Sequence, residues 1–309
     1  MMQKVVLGTR GSALALAQTE LTRAALEGAF PGLKIEVETF VTQGDKKLDL
    51  NLLNSPGGGK GLFTKELEVA LLERRIDVAV HSLKDLPGNM PAGLELSAVL
   101  QRAATGDVLL SKSAGGLDGL PHGSRVGTSS IRRAKQLRWL RPDLEMVEWR
   151  GNVQTRLRKL RDGEGVGGIV LAQAGLDRLG FATAGGLLEF EGAQFAVSSL
   201  EDRMWPAIGQ GAVALQSERS RLEVGELLRG INHEPTWIAV AAERELQRCL
   251  AGDCTLPVGV RTEVLERGVR LSAVLFVEGE ASPRRAEAEA ASPEAAAREV
   301  ARGLGVASD

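Results

Sequence analysis

The sequence predicts an α/β protein made of two similar units and a small α+β domain, and three observations carry that reading. From residue 3 onward short apolar runs alternate with amphipathic stretches, the pattern of strands and helices in a parallel or mixed sheet. The alternation breaks at Gln101 to Gly106 and then restarts. From about Leu222 the order changes to a helix, three strand-like stretches and a last helix. The 309 residues fit two or three domains at roughly 100–200 residues each.

In the first unit, residues 3–8 read as a short buried strand, and Ser12 opens an apolar-periodic helix through Leu14, Leu16, Leu21 and Leu26. A strand follows at about Ile35 to Val41. Thr42 to Gly61 is dominated by polar, Gly and Pro positions, the character of a lid or a disordered segment. Helix Leu62 to Arg75 and strand Ile76 to Val80 lead to His81-Ser82-Leu83-Lys84-Asp85-Leu86-Pro87. The second unit has strands at Val108 to Ser111, Ser124 to Gly127, Leu144 to Trp149 and Gly167 to Leu171, with a helix stopped by Pro142 and another over Val153 to Arg161.

Trp205 to Leu215, containing Gly209-Gln210-Gly211, carries the chain back to the first unit. The last part holds a helix from Thr236 to Leu250, Cys254 in the next loop, strands at Val258 to Val264, Val269 to Val277 and Arg284 to Glu289, and a helix opening at Ser292-Pro293. The expected domains are therefore 1–101 with 203–218, then 104–200, then 222–309.

Composition excludes several classes. A hydrophobic share of 43% with 25% charged residues is that of a globular protein. Lys+Arg of 38 against Asp+Glu of 40 gives a net charge of −2, so nothing global favours nucleic acid or membrane. Four Trp, seven Phe and no Tyr also leave few rings for stacking on bases. Cys249 and Cys254 have neither redox nor zinc spacing, and His81, His122 and His233 are scattered, so no metal is expected. The first apolar run is too short for a signal segment, and the chain reads as cytoplasmic.

The strongest chemical signal is local charge. Residues 125–161 hold eleven basic side chains against Asp143, Glu145 and Glu148, about +8, so the remainder is near −10. Arg132 and Arg133 follow Gly127-Thr128-Ser129-Ser130 in the first turn of a helix, where the dipole disfavours cations. An uncompensated pair there implies a bound anion. Arg150 at a strand end and Arg156 in the next helix share that placement, whereas Lys135, Arg138, Arg141, Arg158 and Lys159 read as a solvated face. Lys84-Asp85 is either an ordinary surface turn or a carboxylate presented to a cleft as acid, base or cation stabiliser. Arg10 is a surface charge or an anion ligand, Ser12 a helix cap, and Cys254 a small hydrophobe, a nucleophile or an attachment point. Gly57-Gly58-Gly59-Lys60-Gly61 lacks the Ser/Thr ending of a phosphate loop.

Taken in order, several segments resemble the porphobilinogen deaminase family of tetrapyrrole biosynthesis, also called the hydroxymethylbilane synthases. They are Thr9-Arg10 with Ser12, Gly58 to Phe63, Ala79 to Asp85, Gly127 to Arg133, Arg150-Gly151-Asn152-Val153 with Thr155-Arg156, Ala174-Gly175-Leu176 with Arg178, Gly209 to Ala212, and Cys254 with Pro257. The resemblance spans almost the whole chain. It implies two α/β domains built like type II periplasmic binding proteins plus a small α+β C-terminal domain. It also implies a dipyrromethane cofactor joined through a thioether to Cys254, and condensation of four porphobilinogens with loss of ammonia to give hydroxymethylbilane.

On that resemblance Lys84, Thr128, Ser129, Ser130, Arg132, Arg133 and Arg156 bind the cofactor with Cys254, while Arg10, Ser12, Gln18, Arg150, Arg156 and Arg178 face the substrate. Asp85 is the catalytic carboxylate, which stabilises the cationic azafulvene left by ammonia loss. Lys60 and Phe63 belong to a lid. The implied partners are porphobilinogen and oligopyrrole intermediates, with no nucleic acid, no membrane and a monomeric chain. The sequence departs from the family at Ala104-Thr105-Gly106-Asp107, where Asp-Pro-Arg-Asp is frequent. It departs again at Asp253 before Cys254, and at Gln216 where an acid often stands. A rival reading on the same architecture is a non-catalytic binder of anionic small molecules, which needs the arginines but neither Asp85 nor Cys254.

Overall fold

The computed structural model describes residues 2–42, 63–163, 165–250 and 257–306. The chain opens with β1 (Lys4–Arg10), passes through helix Ala13–Ala29 to β2 (Lys34–Phe40), then through helix Lys65–Leu72 to β3 (Val78–Ser82) and on to β4 (Leu94–Val99). The second unit supplies β5 (Asp107–Ser111), β6 (Arg125–Gly127), β7 (Glu145–Val147), β8 (Gly168–Ala172), β9 (Leu187–Phe190) and β10 (Ala193–Ser199), with helices Ile131–Leu140, Val153–Asp162 and Gln173–Arg178. β11 (Val213–Glu218) follows, then helices Leu222–Arg229 and Glu234–Cys249, β12 (Val258–Leu265), β13 (Gly268–Leu275), β14 (Arg284–Ala290) and helix Pro293–Gly303.

The strand order states the architecture. In the first sheet it is β2-β1-β3-β11-β4, with β1 parallel to β2 and β3 and with β11 antiparallel to its neighbours β3 and β4. In the second it is β7-β6-β8-β5-β10-β9, with β6 parallel to β7 and β8 and with β5 antiparallel to β8 and β10. β5 and β11 thus hold the same place in the two sheets, and each is the strand that arrives from the other unit. This reciprocal exchange is the two-lobed type II periplasmic-binding-protein arrangement, so the α/β expectation holds. It turns the carboxyl ends of the parallel strands of both sheets toward one cleft, where open α/β sheets place ligands.

Packing follows from the sequence pattern. All five residues of β5 are buried, as are four of the five in β3, which is why both read as continuous runs rather than alternating ones. β14 alternates instead: Ala286, Ala288 and Ala290 pack on the third core, and the charged residues between them face outward. Helix Pro293–Gly303 closes that sheet, capped by Ser292, whose hydroxyl accepts from the Ala295 amide at 3.2 Å.

The expected opening of a third domain at 222 needs correction in packing terms. Val224, Leu227 and Leu228 lie in the same core as Val5, Leu7, Val80 and Leu215, so helix Leu222–Arg229 covers the first sheet. The third core begins to draw on the chain in the next helix, with Ala242 and Leu246. That helix is also the tie to the rest. Glu243 accepts from Arg102 at 2.6 and 3.0 Å, from the Gly209 amide at 2.7 Å and from Thr262 at 2.9 Å. Arg102 and Gly209 lie on the two crossovers between the lobes. Gly209 at φ 68° and Gly211 at φ 85° admit no side chain, because a Cβ would stand 2.7 Å from Leu83 and 2.5 Å from the Ala103 carbonyl respectively. No helix among the described residues is long and apolar enough to cross a membrane.

Candidate active site

The cleft between the lobes encloses about 780 Å³. Three helix starts open onto it, at Ser12, Ser130 and Asn152. Each cap side chain accepts from a backbone amide of its first turn: Ser12 from Ala15 at 3.3 Å, Ser130 from Arg133 at 3.4 Å and Asn152 from Thr155 at 2.9 Å. The remaining first-turn amides and the helix dipoles make this wall attractive to anions.

Among the described residues, six basic side chains and one carboxylate line the cleft: Arg10, Lys84, Arg132, Arg133, Arg150 and Arg156 around Asp85. Lys84 and Asp85 stand in a 3-10 turn, Leu83–Asp85, held by buried Leu83, whose amide donates to the Ala212 carbonyl at 3.0 Å. Asp85 is exposed to the cleft. Burial pushes the Lys84 ammonium down to about 8, with Arg133 and Arg132 acting the same way and Asp85 and Asp107 opposing. Burial likewise pushes Arg156 down to about 10, reinforced by Arg133 and Arg150. Arg156 is oriented by its Nε, which donates to the Gly151 carbonyl at 2.8 Å. The Arg10 guanidinium lies 4.3 Å from the centre of the Phe63 ring, a cation–π contact that covers one of its faces.

The reading of Arg132 and Arg133 as an uncompensated pair is corrected here. Both meet Asp107, with Arg132 Nη2 2.7 Å from Oδ2 and Arg133 Nη2 2.7 Å from Oδ1. Burial alone would raise the Asp107 carboxyl, but the charges and hydrogen bonds of the two arginines outweigh it and hold the group well below the usual carboxylate range. Arg133 Nη1 also donates to the Val170 carbonyl at 2.9 Å, and Arg132 Nη1 donates to the Trp205 carbonyl. Sequence reasoning missed Asp107, although an acid opening a fully buried strand is itself a signal that a cation waits beside it.

The expected residues divide by place. Arg10, Ser12, Phe63, Lys84, Asp85, Ser129, Ser130, Arg132, Arg133, Arg150 and Arg156 line the cleft. Gln18, Thr128 and Arg178 are absent from that lining and sit one layer back. The Gln18 amide donates to the Ser82 hydroxyl at 2.8 Å, the Thr128 hydroxyl accepts from the Ser130 amide at 3.2 Å, and Arg178 donates to the Gly211 carbonyl at 2.6 Å. Lys60 and Cys254 lie outside the described residues, but Gln247 and Val258, which flank the segment carrying Cys254, line the cleft. Of the departures, Gln216 is wholly buried and meets His81 Nε2 at 3.0 Å. Gly106 has the Glu201 side chain 3.3 Å from where a Cβ would stand. Asp253 is outside the described residues. Among the described residues no group of His, Cys, Asp and Glu could hold a metal ion.

A family model described as porphobilinogen deaminase, dipyrromethane cofactor binding domain, matches residues 5–226. The porphobilinogen deaminase of Syntrophobacter fumaroxidans is 44% identical over 303 residues, covering 97% of this chain and 92% of that protein. The porphobilinogen deaminase of Desulforudis audaxviator is 46% identical over 275 residues, covering 89% and 85%. Among solved structures, the L-cystine solute receptor of Neisseria gonorrhoeae covers 82% of this chain at 15% identity with a TM-score of 0.39, which adds nothing to what the strand order states.

Proposed function

The chain belongs to the porphobilinogen deaminase family, and from that premise we propose that it is a transferase that builds hydroxymethylbilane from four porphobilinogens in this cleft, on a dipyrromethane held by a thioether to Cys254. The observation that carries the proposal is that, among the described residues lining the cleft, the carboxylate of Asp85 stands with six basic side chains drawn from both lobes. A binder of small anions needs the cations. It has no use for a carboxylate in their midst.

The residues fit the cofactor. Each of its two pyrroles carries an acetate and a propionate, and planar guanidinium matches carboxylate through two parallel hydrogen bonds. Arg132 Nε is buried without a hydrogen-bond partner, and Lys84 and Arg156 are both depressed by burial, so all three gain from an arriving anion. Lys84, Ser129, Ser130, Arg132, Arg133 and Arg156 would hold the group, with Thr128 supporting the turn that presents Ser130. When bound, the cofactor supplies the pyrrole carbon on which the chain is extended.

The protein's own part is binding, charge and proton transfer. Arg10, Ser12, Arg150 and Arg156 receive the carboxylates of incoming porphobilinogen, while Gln18 and Arg178 act from behind by fixing Ser82 and the Gly211 carbonyl. Departure of ammonia leaves a cation on the substrate, and Asp85 would stabilise it and move the proton that must leave the joined ring. Phe63 stacks on Arg10, and with Lys60 it would form the cover over the cleft. The near-neutral charge and the scarcity of aromatics support small-molecule partners rather than nucleic acid. We further propose a monomer acting in the cytoplasm.

The test is the denatured intact mass of the chain and of Cys254→Ala, before and after porphobilinogen. The expected result is a dipyrromethane adduct on the wild type alone, with heavier species after substrate. No adduct on the wild type, even with preformed hydroxymethylbilane supplied, would give the anion-binder reading the lead.

A further inference from the structure

Asp107 lies behind the cleft wall, at the head of β5, and is 2% exposed. Its carboxylate accepts four hydrogen bonds: from Arg132 Nη2 at 2.7 Å, from Arg133 Nε and Nη2 at 3.2 and 2.7 Å, and from Gln210 Nε2 at 2.9 Å. The two arginines are each 6% exposed and stand side by side in the first turn of a helix, where both dipole and mutual repulsion act against them. Among the described residues their other hydrogen-bond acceptors are the neutral carbonyls of Val170 and Trp205. Asp107 therefore sets where both cations rest.

Gln210 sets where Asp107 rests. It belongs to the crossover returning from the second lobe, and its Nε2 also donates to the Thr105 carbonyl on the outgoing crossover at 2.6 Å. Its own carbonyl accepts from Arg102 Nε at 2.9 Å, and Arg102 is the residue clasped by Glu243. A continuous chain of short polar contacts thus runs from the third domain, through both crossovers, to the arginine pair.

We infer that Asp107 and Gln210 are positioning residues for cofactor capture: Asp107 holds Arg132 and Arg133 at the spacing that receives the cofactor carboxylates, and Gln210 fixes Asp107 to the junction of the two lobes. The inference rests on the deaminase reading. Without Asp107 the guanidiniums repel and swing to other acceptors, so the incoming carboxylates meet a disordered pair. Without the Gln210 amide the charges remain, but their frame is loosened.

The test uses the full chain prepared in cells unable to make porphobilinogen, loaded with preformed hydroxymethylbilane and followed by denatured intact mass. Asp107→Asn should raise the half-saturating hydroxymethylbilane concentration for adduct formation tenfold or more. Gln210→Leu, which leaves every charge in place, should raise it severalfold. In both, the loading rate at saturation should stay near that of the wild type. A purely structural role would lower the folded fraction without moving half-saturation, and that result overturns the inference. So does wild-type half-saturation in Gln210→Leu and Asp107→Asn. If the wild type itself never acquires the adduct, the deaminase reading fails instead, and the inference falls with it.

Discussion

Replacing Lys84 with methionine should make the empty protein more stable at neutral pH and poorer at capturing its cofactor. Burial lowers the Lys84 ammonium from 10.5 to about 8, and at 1.36 kcal/mol for each unit this sets a ceiling of about 3 kcal/mol on the cost of keeping it charged. The side chain is partly open to the cleft, so roughly half of that is the expected gain. The sign follows from the order of the two values. Below about 8 the lysine is charged in both folded and unfolded chains and the whole penalty is present. Between about 8 and 10.5 the unfolded chain holds more protons, so stability rises with pH, and above 10.5 the penalty is gone. Methionine removes the charge and keeps most of the volume. Urea unfolding in a Cys254→Ala background, which lacks the proposed attachment point, should show a higher midpoint for the variant at pH 7 and a gap that closes near pH 10. A lower midpoint at pH 7 would refute the reasoning, and so would a gap that persists at pH 10. With Cys254 intact, the same change should slow loading.

Asp85→Asn keeps the shape and removes the charge, so it should retain the cofactor by intact mass while turnover falls by about 10²–10⁴; normal turnover with normal loading would strip Asp85 of its role. Gln216→Glu probes the third departure. Burial pushes His81 down to about 4 and raises the carboxyl of Glu68, which Thr64 and Gln216 act to lower. A second buried carboxyl between them has to share a proton, so the variant should lose about 1–3 kcal/mol relative to wild type as pH rises from 6 to 8. Urea midpoints that differ equally at both pH values would exclude that account.

Much of the fold is legible because local pattern and tertiary role agree. β3 and β8 are apolar runs with both faces covered, and Ser12 and Ser292 are caps followed by apolar periods. What escapes is short or edge-placed. Helix Gln173–Arg178 has only 6 residues, too few for a 3.6-residue period to show. β9 and β10 end their sheet, and β9 buries only alternate residues. Helix Leu222–Arg229 was visible as a change of character, but nothing local says which core its apolar stripe meets. The site divides in the same way. Arg132, Arg133, Arg150 and Arg156 stand out by position along the chain. Lys84-Asp85 does not, because a turn after a buried strand reads the same at a surface or in a cleft. Asp107 signals that a cation waits beside it but not which one, because its partners are 25 and 26 residues away, and Gln210 lies 103 residues from Asp107.

The cations of the cleft are of two kinds, and the difference explains how an empty site this charged holds together and still draws carboxylates. Arg132 and Arg133 rest on an internal anion, which offsets part of the burial that presses Arg132 down. Lys84 and Arg156 are pressed by burial toward losing their protons, to about 8 and about 10. An arriving carboxylate relieves that pressure, and the relief is binding free energy not spent in the folded chain beforehand. If every cation had an Asp107 of its own, the cleft would have little to offer an acidic pyrrole. If none did, like charges would force it open. The two strained cations also come from opposite lobes, Lys84 after β3 of the first sheet and Arg156 from the helix after β7 of the second. A ligand bearing several carboxylates that engages both is therefore stabilised most when the lobes stand close, so lobe closure and ligand charge favour each other.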